Sequence, residues 1–88
     1  MFVIWEVLQM IRTLAVDTGE FSYYRSLLKS SGFISATYFS LNGYNIKKMQ
    51  HMARQGRLNA VRCEIGRSVK WYYAEHQAEL AYLRGEVK

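Results

Sequence analysis

Seven cationic side chains, Lys47, Lys48, Arg54, Arg57, Arg62, Arg67 and Lys70, fall within twenty-four residues whose only acid is Glu64. Cations at this density serve one chemistry best, the neutralisation of a polyanion, in which each ammonium or guanidinium displaces a counterion from a phosphate. Catalysis has less to work with. His51 and His76 are the two histidines and lie far apart in the chain, Cys63 is the single cysteine and Asp17 the single aspartate. His51 with Cys63 falls short of the three or four ligands of a zinc site. Cys63 is predicted on the core face of a strand, where a thiol packs rather than reacts. There is no glycine-rich phosphate loop. The expectation is therefore a protein that is not an enzyme, with no catalytic residues, no metal, no cofactor and no small-molecule substrate.

The charge belongs to one region. Residues 1–44 balance Arg12, Arg25 and Lys29 against Glu6, Asp17 and Glu20, and residues 71–88 set Arg84 and Lys88 against Glu75, Glu79 and Glu86. Residues 47–70 carry +6 and residues 71–88 carry −1, so the formal net charge of +5 arises between Lys47 and Lys70. The plain alternative is a solvated face that confers only solubility.

The elements that must position these cations can be read from Gly43 to Tyr72. Asn45 is an N-cap residue, Ile46, Met49, Met52 and Ala53 recur at helical spacing, and Gly56 supplies a left-handed stop. Lys47, Lys48, Gln50, His51 and Arg54 are left on the exposed face. Val61 and Cys63 then alternate with Arg62 and Glu64, and Val69 and Trp71 with Lys70 and Tyr72, which predicts a hairpin. A three-residue loop at 65–67 would set Cys63 opposite Val69 and Val61 opposite Trp71 on the core face, with Arg62 and Lys70 together on the outer face. Trp71 and Tyr73 would point inward and Tyr72 outward.

The order helix, turn, helix, Gly-Arg-Leu, strand, glycine-containing wing, strand, helix resembles the winged helix-turn-helix of the excisionase and MerR-like group. The motif's first helix would be Ser35 to Asn42, its turn Gly43-Tyr44, and its closing element Gly56-Arg57-Leu58-Asn59-Ala60. The resemblance covers about residues 34–84. Asn59 stands where that group commonly has proline, and the chain contains no proline. Nothing at the C-terminus resembles the long dimerisation helix of full-length MerR regulators, so the excisionase-like branch fits better. The fold implied is mainly α with a small β-hairpin.

Eighty-eight residues allow one domain with a modest core. Residues 1–33 are expected to form a helical extension packed on a winged unit at 34–88. Phe2 to Val16 has eleven apolar residues in fifteen. It is shorter than the roughly 20 residues needed to cross a bilayer and is interrupted by Glu6 and Arg12, so no membrane role is expected. Read as a helix, it carries an apolar arc wider than one core contact requires, with Ile4, Trp5, Leu8 and Ile11 as candidate dimer or partner contacts. Asp17 with Glu20 forms a candidate capping box for a second helix holding Phe21, Tyr24, Leu27 and Leu28. Ser35 would cap the motif's first helix, with Phe39 inward and Leu41 closing on the turn. A last helix, Ala74 to Arg84, would turn Leu80 and Leu83 inward. A single cysteine makes the fold independent of an oxidising compartment and a cytoplasmic setting the default.

The expected function is sequence-specific binding of double-stranded DNA by a homodimer, in transcriptional regulation or as an excisionase-like architectural factor. Asn45, Lys47, Lys48, Gln50, His51, Arg54, Arg57, Arg62, Arg67 and Lys70 would form the interface. Lys47, Gln50 and His51 would reach base edges, while Lys48, Arg54 and Arg57 hold phosphates. The alternative is a protein-interaction module of the same fold that docks through its N-terminal helix.

Overall fold

The computed structural model describes residues 11–88. In chain order these form β1 (Ile11–Val16), a single 3-10 turn (Thr18–Glu20), α1 (Phe21–Ser30), β2 (Phe33–Ser35), α2 (Ala36–Leu41), α3 (Ile46–Arg54), β3 (Ala60–Ile65), β4 (Ser68–Ala74) and α4 (Glu75–Leu83). The four strands make one mixed sheet in the order β1-β3-β4-β2. β1 runs parallel to β3, and β4 is antiparallel to both β3 and β2. The described chain is 47% helix and 28% strand. It is therefore an α+β fold, and the expectation of a mainly α protein with a small hairpin is overturned.

The reason lies in segments that read as helical or as linkers. Residues 11–16 continue no helix: Ile11 pairs with Ala60, Leu14 with Cys63 and Val16 with Ile65 in unbroken register. Ile11 packs against the protein's own core. The candidate contacts Ile4, Trp5 and Leu8 lie outside the described residues. Phe33–Ser35, a junction in sequence, pairs with Ala74, Tyr73 and Tyr72 as a fourth strand. What was expected to be an extension packed on a winged unit thus contributes a strand to the same sheet.

Both faces of the sheet are covered. One carries Ala60 and Tyr73 beneath Phe39 of α2, Met49, Met52 and Ala53 of α3, and Ala78 and Ala81 of α4. The other carries Val61, Cys63 and Tyr72, packed against Leu14 and against Phe21 and Leu28 of α1. A strand buried on both faces cannot be sorted into inside and outside by alternation. Tyr72, expected outside, is accordingly buried, while Val69 is exposed. In α4 the small residues Ala78 and Ala81 let the helix approach closely. Leu80 and Leu83, expected inward, are exposed, as is Leu41.

The hairpin register differs by one residue from the expected one. Ile65 pairs with Ser68, leaving a two-residue loop of Gly66 and Arg67, so that Cys63 faces Lys70 and Val61 faces Tyr72. Gly66 has φ +58°. The tight primed turns that match strand twist require such a value at the first central position, which favours a two-residue loop over three. A one-residue slip moves a whole strand to the other face. Arg62 and Lys70 therefore lie on opposite faces of the sheet.

The helix starts are mixed. Ser35 Oγ accepts from the Tyr38 backbone N–H at 3.4 Å, and Asn45 Oδ1 accepts from the Lys48 N–H at 3.2 Å. Asp17 makes no side-chain cap, and a 3-10 turn occupies the position of the expected capping box. Since removing an N-cap typically costs about 1 kcal/mol, Asn45→Ala should lower stability by about that amount in a urea titration. A change near zero would assign the start of α3 to its tertiary contacts alone.

Candidate nucleic-acid interface

α2 and α3 are joined by the turn 42–45, in which Gly43 adopts φ +85°. The turn is braced from the far end of the chain. The Asn45 N–H donates to the carbonyl of buried Val87 at 2.7 Å, and Tyr44 packs against Tyr82 with ring centroids 4.4 Å apart. α3 is held by Met49, Met52 and Ala53, all buried. Because these recur every three to four residues, the intervening side chains are forced outward. Lys47, Lys48, His51 and Arg54 are exposed and Gln50 is half-buried. Asn45, also exposed, acts through its cap.

The structure divides the expected cations into free and engaged groups. Among the described residues Lys47, Arg54 and Arg67 form no ion pair. Lys48 Nζ donates to the Lys88 carbonyl at 3.1 Å. Among the described residues Lys48 forms no ion pair with a carboxylate side chain. Arg57 pairs with Glu86, which also accepts from Arg84 Nε at 2.9 Å. Arg62 pairs with Glu64, its neighbour two residues along the same strand face. Lys70 sits on the opposite sheet face, with its ammonium 5.2 Å from the Phe21 ring centroid. Arg67, on the exposed two-residue turn, is at the wing tip.

An open groove of about 440 Å³ runs along α3 and past its C-terminal end, lined by Lys47, Lys48, His51, Met52, Gln55, Arg57 and Glu86. Gln55 Nε2 lies 3.1 Å from His51 Nε2 and can donate to it when the ring is neutral. Hydrogen bonding from Arg84, with the charge of Arg57 adding to it, holds the Glu86 carboxyl below the usual carboxylate range. It is therefore an anion at neutral pH, seated in an otherwise cationic groove.

Three features of this surface were not visible in the sequence. Gln55 reads as the helix terminus yet lines the groove beside His51. Glu86 is 29 residues from Arg57, and no local pattern links them. Tyr73, fully buried in β4, places its hydroxyl under α3 without a hydrogen-bond partner among the described residues. Burial pushes its pKa up to about 12, partly offset by the charge of Arg54 and by a polar contact with Gln50 too poorly aligned to count as a hydrogen bond. Burial likewise raises the pKa of Cys63, which suits packing rather than nucleophilic chemistry. Among the described residues there is no group of three or more metal-ligating side chains, and no helix is long and apolar enough to cross a membrane.

Comparisons with protein-family models, with curated proteins and with solved structures returned no match for this chain.

Proposed function

We propose that this chain binds double-stranded DNA, with α3 in the major groove and the β3–β4 wing along the adjacent backbone, as a cytoplasmic transcriptional regulator or an excisionase-like architectural factor. The observation that carries the reading is the division of α3 into a buried face of Met49, Met52 and Ala53 and an exposed face of Lys47, Lys48, His51 and Arg54. An α-helix with its side chains is about 10–12 Å across, which matches the roughly 12 Å width of the major groove. The succession α2, turn, α3, wing, α4 supports the likeness to winged helix-turn-helix proteins, on which the assignment of α3 as recognition helix rests. Lys47, Gln50 and His51 are proposed to read bases. Lys48, Arg54 and Arg67 are proposed to hold phosphates, with a second copy of the chain supplying the other half-site.

Fluorescence anisotropy with labelled random duplex at low salt tests this reading. Duplex should compete better than single-stranded DNA or RNA of equal length. Preference for the RNA competitor would redirect the proposal to RNA, and no binding at all would remove it. Glu86→Gln supplies a sharper check. Releasing Arg57 for one more phosphate should tighten duplex binding and steepen the logarithmic salt slope by about 0.9. Because the carboxyl is held below its ordinary range, acidification should reproduce the effect only as the pH falls through that depressed value. Binding that weakens in the glutamine variant would mean that Glu86 orders the interface rather than competing for it.

A further inference from the structure

Two helices of this fold turn large apolar side chains away from the core. In α1, Phe21 and Leu28 pack on the sheet while Tyr23 and Leu27 are exposed. In α4 the inward positions are held by Ala78 and Ala81, and Leu80 and Leu83 are exposed. Each outer face also carries charge of one sign. At about 100° per residue, Tyr23 and Leu27 form a stripe along one flank of α1 and Arg25 and Lys29 form a stripe along the other, in a helix without an acid. On α4 the same spacing puts Leu80 and Leu83 in one stripe and Glu75 and Glu79 in the next. Among the described residues none of these four charged side chains is in an ion pair.

The two faces match each other but cannot meet within one molecule. α1 lies over the sheet face of Val61, Cys63 and Tyr72, and α4 over the opposite face with Ala60 and Tyr73. Only another copy can bring them together. A two-fold contact of α1 on α1, or of α4 on α4, sets cations against cations or acids against acids. A contact of α1 on the α4 of a second copy sets Arg25 and Lys29 against Glu75 and Glu79. The right-handed helix then fixes the direction. Laid antiparallel, the apolar stripes meet each other and the cationic stripe meets the acidic one; laid parallel, each apolar stripe meets charge. Antiparallel packing also opposes the two helix dipoles. We infer that copies of this chain associate head to tail, with α1 of one against α4 of the next, through Tyr23 and Leu27 on one side and Leu80 and Leu83 on the other.

Such a contact is heterologous. It leaves an α1 face free at one end and an α4 face at the other, so association continues past a pair until it closes as a ring or extends as a filament. One short helix on another buries less than a standard interface, which makes the contact weak and concentration-dependent. Sedimentation velocity on the intact chain, without nucleic acid, tests this independently of DNA binding. Average mass should rise past that of a dimer between low and high micromolar concentration, and added salt should lower it. Tyr23→Asp closes the α1 face and Leu83→Asp the α4 face; both positions are exposed, so urea midpoints should match the wild type. Each variant alone should be monomeric. Mixed in equal amounts they should form a one-to-one complex and nothing larger, because each supplies the face the other lacks. Lys29→Glu and Glu79→Lys should each weaken association by about two- to fivefold, the worth of one exposed ion pair, and combined in one chain should restore it. A wild type that stays monomeric at high micromolar concentration, or a variant mixture that forms no complex, would overturn the inference. Self-association that survives either aspartate substitution would overturn it as well, by assigning the contact to another surface.

Discussion

Raising salt from 50 to 200 mM is expected to weaken duplex binding roughly a hundredfold, because four free cations correspond to a logarithmic slope of about −3.6. The four are Lys47, Lys48, Arg54 and Arg67. The sequence offers seven, but Arg57 and Arg62 are paired with Glu86 and Glu64, and Lys70 lies over Phe21 on the opposite face of the sheet. A cation already neutralised by a carboxylate releases no counterion when it approaches a phosphate, so it adds little to the slope. The prediction is read from anisotropy titrations at several salt concentrations. A slope near zero would remove the phosphate-binding interpretation of α3. A slope near −6 would show that the Arg57 and Arg62 pairs open on binding and that the whole basic run reaches the backbone.

Phe39→Ala should be the most damaging single substitution in the helical layer. Phe39 is fully buried and meets Tyr44 and Tyr73 edge-on, at centroid distances of 4.9 and 6.2 Å. It thereby joins α2 to the turn before α3 and to the sheet beneath. Truncating a buried phenylalanine costs about 3–5 kcal/mol. A chain of this size holds roughly 5–10 kcal/mol in total. The variant should lose about half its stability in urea denaturation, and duplex binding with it, since α3 loses the element that fixes its angle. Leu41→Ala, two residues along the same helix, is the control. Leu41 is 82% exposed, and substitutions at such positions change stability by no more than about 0.5 kcal/mol. Similar losses in the two variants would mean that α2 is rotated from the orientation described.

The surface of α3 was legible in the sequence because a helix bounded by a cap and a glycine, with apolar residues at every third and fourth position, has only one face it can bury. Ser35, Asn45, Gly56 and Gly66 act within a few residues of their positions in the chain, and their roles follow from local geometry. The N-terminal segment had no such anchor. An apolar run with scattered polar residues satisfies a helical stripe as well as a strand, and only the vacant edge of β3 decides in favour of β1 over residues 11–16. Opposed coverage by α1 and by the α2–α4 layer buried Tyr72 as well as Tyr73, and so erased the alternation by which an inside and an outside could be told apart.

By itself, then, the sequence determined where the positive charge lies, which helix presents it and where that helix begins and ends, all consequences of neighbours within one or two turns. Tertiary structure alone decided which of those charges remain free. Glu86 reaches Arg57 across 29 residues, and the hairpin register sends Lys70 to the face opposite Arg62. Contacts between segments distant in sequence are set by the packing of the whole sheet, to which no local spacing gives access.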